Sequence, residues 1–464
     1  MKTSSLPRAV AILGFARSGR SLARALRDRG VAASIGDAKP ETEFPDAADW
    51  REKGIRLFLG GPPSMDEFLE GADWLVLSPG VPVAGSVPRE ARRRGLEVLA
   101  ELEVAFRLLQ AEVSGQNHWI AVTGTNGKST TTSWIAEILR RAGRDVALAG
   151  NIGTPLSDYL DRSSPREFVC EVSSFQLETI DRFHPNVAVL TNVTPDHLDR
   201  YETFSDYVLA KQRIFRNLTS RDFAVINADD PTSVGSGGRA RPVPFSRQRP
   251  VDGGVWVEDG WICSAARGSA RRVLQADALS LSGAHNLENA LAALAAADCA
   301  GASEEAIRQG LTTFRGLPHR TELVAERDGV RWIDDSKGTN VDATKKSLEG
   351  YPPGSVILIL GGRDKHGDFS ALAQAVRRSA RQVLTIGEAA ETIERAVAGM
   401  VPVERCETMV RAVARARELA RAGDTVLLSP ACASFDQFRD FEDRGERFAA
   451  LARAASAAGV SDGT

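Results

Sequence analysis

The sequence predicts an α/β protein with three successive parallel-sheet segments. Three observations predict it: a length of 464 residues, short apolar runs alternating with helical stretches, and loops rich in Gly, Asp, Ser or Lys directly after those runs. One hydrophobic core does not fill so long a chain, and one domain per about 150 residues gives roughly three. Strand–helix alternation signals βαβ units. In open sheets of this kind ligands bind at the carboxyl ends of the strands, so the loops are where function is sought.

The first segment, residues 1–100, has strands at Ala9–Leu13, Val31–Ile35 and Trp74–Leu77. The second, residues 101–316, opens on a strand at Trp119–Thr123 and continues through Phe168–Val172 and Val187–Thr191. Residues 232–280 break its rhythm. There Val255–Val257 and Trp261–Cys263 flank Asp259-Gly260, which predicts a hairpin at an edge or in a small side sheet. A helical run at Ala284–Ala297 follows. The third segment, residues 317–464, has strands at Val330–Ile333, Val356–Leu360, Val383–Ile386 and Thr425–Leu428.

Composition excludes several classes. Apolar residues make up 43% and charged residues 26%, ordinary for a soluble enzyme. The 61 acidic and 58 basic side chains nearly cancel, which removes any polyelectrolyte drive towards nucleic acid. The triplet Arg92-Arg93-Arg94 then reads as a solvated helix face. Cys170, Cys263, Cys299, Cys406 and Cys432 lie far apart without a CxxC pair, against a disulfide framework or zinc site and in keeping with a reducing cytoplasm. No apolar stretch approaches the ~18 residues of a membrane span. Gly14 and Gly19 interrupt the early apolar run, which reads as a first strand and not as a leader. The expectation is a cytoplasmic monomer with no nucleic-acid partner and no membrane insertion.

The strongest motif follows the strand Trp119–Thr123. Gly124-Thr125-Asn126-Gly127-Lys128-Ser129-Thr130 runs into the helical stretch Thr131–Arg141. Backbone N–H groups and a helix N-terminus cradle phosphate oxygens, the lysine neutralises charge, and the serine hydroxyl suits Mg²⁺. The strict P-loop pattern wants glycine at position 122, where this chain has Val122. ATP binding is the inference. Downstream, Glu171 ends one strand, Asp196-His197-Leu198-Asp199 follows another, and Lys211 lies on a helix. A nucleotide-bound Mg²⁺ takes one or two carboxylates, so Glu171 stands where such a ligand is needed.

A second glycine turn, Gly14-Phe15-Ala16-Arg17-Ser18-Gly19, follows the first strand, and Asp37 ends the next. This imitates a dinucleotide fingerprint and predicts a Rossmann-like segment. Ala16 replaces the central glycine that admits a pyrophosphate, which weakens an NAD reading and leaves another nucleotide open. Arg17 and Lys39 suit a diphosphate, and Asp37 a ribose or base.

Ten motifs in order resemble the Mur ligases: TGTNGKSTTT (123–132), GNIGTP (150–155), EVSSFQLE (171–178), LTNVTPDHLDRY (190–201), AKQRIF (210–215), GAHNLENALAA (283–293), GLPHRTE (316–322), DDSKGTN (334–340), LGGRDKHGDF (360–369) and SPACASFDQF (429–438). The resemblance implies a Rossmann-like N-terminal domain, a P-loop ATPase-like central domain and a Rossmann-like C-terminal domain. It also implies an ATP-dependent amide ligase of cell-wall precursor synthesis that works through an acyl phosphate. Its implied substrates are a UDP-linked muramoyl-L-alanine and D-glutamate, with ATP and two Mg²⁺ ions as implied cofactors.

The same resemblance implies residue roles. Gly124 to Thr131 would bind the ATP phosphates, with Lys128 on the γ-phosphate and Ser129 on Mg²⁺. Glu171, His197 and a carbamylated Lys211 would hold magnesium. Lys128, His197, Lys211 and Lys337 would be catalytic. Asn286, Asn289, Arg320 and Asp335 would complete the ATP site. Arg17, Ser18, Asp37, Lys39, Ser78, Gly80 and Asn151 would meet the UDP-substrate. Thr339, Lys365, Ser434 and Phe441, with Lys337, would surround D-glutamate. Where the family shows Asp-Thr-Arg this chain has Asp37-Ala38-Lys39, so a hydroxyl is missing and a bidentate guanidinium becomes a point charge. The competing readings are a dehydrogenase built on Gly14–Gly19, a folylpolyglutamate synthase, and a non-catalytic nucleotide-binding regulator.

Overall fold

In a computed structural model, residues 6–61, 64–112, 117–160, 166–198, 200–365 and 367–454 are described. Asp199 and His366, each inside a quoted motif, lie outside them. The chain divides into two compact units. The first comprises Met1–Val193, Arg200–Ala278 and Glu288–Thr313, and the second Thr194–Asp199, Leu279–Leu287 and Phe314–Thr464. Among the described residues the strands form three sheets, two in the first unit and one in the second.

The N-terminal sheet contains β1 (Ala9–Leu13), β2 (Ala32–Asp37), β3 (Arg56–Leu59), β4 (Trp74–Leu77) and β5 (Glu97–Ala100), all parallel, in the order β3-β2-β1-β4-β5. Order reverses between β2 and β4 on either side of β1, so a crevice opens at the carboxyl end of β1, where Gly14 begins its turn. Gly14 is at φ +112°, and a Cβ there would stand 2.5 Å from Ser78 Oγ. A Cβ on Gly19 would lie 2.1 Å from the Gly14 carbonyl. Both glycines are thus demanded by close approach of strand, turn and helix Arg17–Arg27.

The second sheet adds β6 (His118–Thr123), β7 (Val146–Gly150), β8 (Glu167–Glu171), β9 (Val187–Leu190), β10 (Phe223–Asn227), β11 (Arg241–Ser246), β12 (Val255–Glu258), β13 (Trp261–Ser264) and β14 (Arg271–Gln275). Its order is β14-β13-β12-β11-β10-β9-β6-β8-β7. The predicted hairpin is β12–β13, with Glu258 opposite Trp261 and with Asp259 (φ +50°) and Gly260 (φ +76°) as the two turn residues. Positive φ at both central positions is the primed turn that Asp-Gly favours. This hairpin lies within the large sheet, between β11 and the edge strand β14, and does not form a separate one. One continuous core joins the two sheets of the first unit, from Ile12, Leu22 and Ile35 through Leu102 to Trp119, Phe168 and Leu190. Trp119 stacks on Phe168 with centroids 4.3 Å apart.

The second unit holds β15 (Glu322–Arg327), β16 (Val330–Asp334), β17 (Val356–Gly361), β18 (Ala380–Ile386), β19 (Val403–Glu407) and β20 (Thr425–Leu428), in the order β15-β16-β20-β17-β18-β19. Along β17, Ile357 and Ile359 face one apolar cluster while Val356, Leu358 and Leu360 face another. Burial on both faces explains why this strand reads as an unbroken apolar run and not as an alternation. The arginine triplet is solvated and locally paired: Arg93 and Arg94 both bond to Glu90, and Arg94 also to Asp66.

Candidate active site

In the first unit, the strand β6 ends on Thr123 and the chain turns through Gly124 (φ +149°) and Gly127 (φ +80°) into helix Lys128–Arg141. A Cβ on Gly124 would stand 1.9 Å from Thr191 Oγ1, and one on Gly127 would stand 2.1 Å from Asn289 Oδ1. The loop is fixed from the side by the next strand end. Thr125 N and Asn126 N donate to the carbonyl and side-chain oxygen of Asn192 at 2.8 and 3.0 Å, and Thr191 Oγ1 donates to Asn126 O at 2.7 Å. Asn289 Oδ1 also accepts from Thr131 Oγ1 at 3.3 Å. Ser129, Thr130 and Thr131 are buried in the first helical turn. The protein's own contacts therefore fix the shape of the loop, as a preorganised anion cradle requires.

Two ammonium groups sit on this loop. Lys128 Nζ donates to the carbonyls of Gly124 and Thr125 at 2.8 and 2.7 Å, and Lys211 Nζ donates to Gly124 O at 2.6 Å. Lys211 is only 1% exposed and stands 4.5 Å from the centre of the Tyr207 ring, whose hydroxyl is 3.2 Å from Thr125 Oγ1. Such burial is unusual for lysine.

Glu171 ends β8, the strand beside β6, and is 2% exposed. Asn151 Nδ2 donates to its Oε1 at 2.7 Å, while Oε2 is buried with no hydrogen-bond partner. A buried carboxylate oxygen left unpaired is costly, and a divalent cation removes that cost. The Glu171 carboxylate thus fits a hard cation of the Mg²⁺ type. The Gly150 turn (φ +98°), where a Cβ would lie 2.2 Å from Glu171 O, brings Asn151 onto Glu171.

At the N-terminal sheet, Asp37 Oδ2 accepts from Phe15 N at 2.7 Å and Oδ1 from Lys39 N at 3.0 Å. Lys39 Nζ pairs with Glu43 at 2.7 Å on the exposed surface. Ser78 donates to Gly14 O at 3.1 Å, Gly80 follows in the same loop, and Arg17 and Ser18 open the helix after the glycine turn. Asp37 therefore braces the turn that carries Arg17 and Ser18.

In the second unit, His197 (φ +54°) follows Asp196, whose Oδ2 accepts from Asn340 Nδ2 at 3.1 Å. Asn286 is buried and donates to Ser282 O at 2.8 Å. Asp335 accepts from Ser429 Oγ at 2.7 Å and Thr321 N at 3.2 Å, and burial pushes its carboxyl up to about 6. The positive charge of Arg320 partly opposes that rise. Lys337 Nζ lies 3.5 Å from the centre of the Phe441 ring, and Thr339 N donates to Lys337 O at 2.8 Å. Arg363 and Ala433 exchange backbone hydrogen bonds at 2.9 and 3.0 Å, which ties the loop of Lys365 to that of Ser434.

Residues 122–297 match the Mur ligase middle domain, and residues 319–432 the Mur ligase glutamate ligase domain. A UDP-N-acetylmuramoylalanine–D-glutamate ligase of Pelotomaculum thermopropionicum is 43% identical over 95% of this chain and 96% of its own. The chain belongs to the Mur ligase family. A ligase of the same name from Geotalea daltonii is 40% identical over 96% of this chain and 97% of its own. Among solved structures, the UDP-N-acetylmuramate–alanine ligase of Thermotoga maritima aligns at a TM-score of 0.58 and 21% identity, covering 96% of this chain and 98% of its own. A pseudomurein peptide ligase type C from Methanothermus fervidus aligns at 0.58 and 20%, covering 91% and 96%. These two share the fold.

Several residues that organise this Mur ligase carried no sequence-based role. Arg444 is fully buried, and its guanidinium donates to Ser336 Oγ and O and to Cys432 O, so one side chain holds the loop of Lys337 to that of Ser434. Desolvation pulls its pKa down to about 10. His319 (φ +61°) pairs with Asp334 at 2.7 Å, and its carbonyl accepts from Lys337 N at 3.0 Å. Arg444 lies four residues past Asp440 on an ordinary-looking helix, so no local pattern marks it. His319 was visible inside GLPHRTE, but its anchor on Asp334 depends on tertiary packing.

Proposed function

We propose that this protein joins D-glutamate to UDP-N-acetylmuramoyl-L-alanine with ATP, in the cytoplasm. Whole-length identity to ligases of that name supports the reading, and within the first unit one geometric observation carries it. The P-loop with Lys128 and the half-satisfied Glu171 carboxylate lie at the ends of the neighbouring parallel strands β6 and β8, and Lys211 reaches the same loop from its helix. The substrate carboxylate attacks the γ-phosphorus in line, ADP leaves, and an acyl phosphate remains. Lys128 and the backbone N–H groups at the start of the helix Lys128–Arg141, within the Gly124–Thr131 segment, stabilise the charge spreading over the transferred group. By the family resemblance Ser129, Glu171 and Lys211 of the first unit and His197 of the second would hold Mg²⁺, which when bound would supply Lewis-acid neutralisation of phosphate oxygens. Two such ions and carbamylation of Lys211 belong to this proposal. A carbamate presents anionic oxygen, whereas an ammonium repels a cation.

The amine of D-glutamate then attacks the acyl carbon, and phosphate departs as the amide forms. Lys337, Thr339, Lys365, Ser434 and Phe441 hold the amino acid in the second unit. There Asn286, Arg320 and Asp335 serve the nucleotide, as Asn289 does in the first. The uridine side falls to Arg17, Ser18, Asp37, Lys39, Ser78 and Gly80, with Asn151 towards the muramoyl group. The three functional segments are residues 1–100, 101–316 and 317–464, and the protein acts as a monomer. Phosphate release with UDP-N-acetylmuramoyl-L-alanine and a panel of D- and L-amino acids tests the reading. D-glutamate should be strongly preferred, and equal rates with D-glutamate, L-alanine and L-lysine overturn it.

A further inference from the structure

Beyond their shared core, a side chain that no motif role accounts for links loops of the two sheets of the first unit. Arg200 is only 15% exposed and meets four groups. Its guanidinium carbon lies 3.8 Å above the centre of the Phe175 ring, and Nη2 bonds to Glu178 Oε2 at 2.9 Å. Nη1 donates to Pro79 O at 3.2 Å and Nη2 to Val81 O at 3.3 Å. Glu178 is itself held from the other side by the Tyr201 hydroxyl at 2.5 Å from Oε1.

These partners belong to two different loops. Phe175 and Glu178 belong to the segment after β8, which starts from Glu171 and is fixed by a reciprocal Ser173–Gln176 cap. Pro79 and Val81 flank Gly80 in the loop after β4, where Val81 N donates to Ser78 O at 2.9 Å and Ser78 donates to the Gly14 carbonyl. A planar cation with five donors can stack, pair with a carboxylate and donate to two carbonyls at once, which lysine cannot do.

We propose that Arg200 is a positioning residue for the uridine-bearing substrate, setting the Ser78–Val81 loop against the segment that follows Glu171. The inference rests on the substrate assignment above. Arg200 touches carbonyls that shape the loop and has no part in the phosphate chemistry, so its loss acts on one substrate. Arg200→Ala should raise KM for UDP-N-acetylmuramoyl-L-alanine roughly ten- to a hundredfold, the range for removing charge-assisted hydrogen bonds. KM for ATP and for D-glutamate should stay near wild type. Arg200→Lys should keep the pairing with Glu178 but not the two carbonyl contacts, and should recover only part of the loss. Glu178→Gln should shift the same KM in the same direction, and the double variant should fall short of the product of the two, because both act through one contact.

Calorimetric titration with UDP alone reads the same loop without turnover, and Arg200→Ala should weaken it by a similar factor. Unchanged UDP affinity in a folded Arg200→Ala protein overturns the proposal, as does an equal rise in KM for ATP, which a merely structural strut would give. A wild-type protein that binds UDP but does not turn over the muramoyl substrate overturns the activity assignment alone.

Discussion

Glu171→Gln should separate stability from activity in opposite directions. In the native carboxylate, Oε1 accepts from Asn151 while Oε2 is buried without a partner. Leaving a buried polar group unpaired costs about 1–3 kcal/mol, and more when it is charged. Glutamine keeps the shape and the acceptor facing Asn151, and its amide still lacks a partner at the second position, but the buried charge is gone. Unfolding by urea without divalent cation should therefore show a variant as stable as wild type or more so, by up to about 2 kcal/mol. Activity should move the other way. An anionic ligand to a hard cation is lost, and removing one preorganised charge at a transition state costs ~3 kcal/mol or more, a rate loss on the order of a hundredfold. Native sites commonly hold such a trade between stability and chemistry. Phosphate release as a function of Mg²⁺ concentration checks it. A folded Glu171→Gln enzyme with near wild-type turnover and unchanged Mg²⁺ dependence refutes the metal assignment. A variant markedly less stable than wild type shows instead that the carboxylate is structural.

Four further outcomes follow from the same geometry. Gly127→Ala should cut ATP affinity while the fold survives, because the new Cβ at φ +80° meets Asn289 Oδ1 and costs roughly 1–2 kcal/mol in backbone strain alone; wild-type nucleotide affinity would count against the cradle. Lys211→Ala should lose most activity and regain part of it with formate or acetate, while Lys211→Arg stays inactive; a fully active arginine variant removes the ligand role. Lys365→Ala should raise KM for D-glutamate far more than for ATP, by the roughly 1.5–3 kcal/mol of a charge-assisted pair. Asp335 has its carboxyl raised to about 6 by burial, so its contribution to stability is full below the unfolded value of about 3.9 and is lost as pH rises through about 6. Asp335→Asn should therefore gain on wild type between pH 4 and pH 8, on the order of 3 kcal/mol, and a pH-independent difference in urea stability would refute the shift.

What the sequence made legible depends on how local each signal is. The P-loop, the Asp259-Gly260 hairpin and the buried run of β17 are written in contiguous residues, and the structure forms each of them. Short strands escaped, including β3 and β5 in the N-terminal sheet and β19 in the last. Each is 4 or 5 residues with a charged residue at one end, and each is recruited by pairing with an established neighbour.

The division among the candidate site residues has the same cause. Many residues proposed to meet ligands sit in glycine- and serine-rich loops, where close approach of the backbone to a phosphate or carboxylate would constrain several consecutive positions. Residues that hold those loops act through one long side chain reaching across the fold, so each constrains a single position. Arg444 reaches Ser336 from 108 positions away, and Arg200 reaches Pro79 from 121. Each is an arginine in a chain rich in surface arginine, and composition gives it no distinction. Burial does. A guanidinium nearly withdrawn from water persists only where several fixed acceptors surround it. Arg107 is likewise buried and pairs with Glu97, Glu103 and Asp181, whereas the guanidiniums of Arg444 and Arg200 join loops for which substrate roles are proposed.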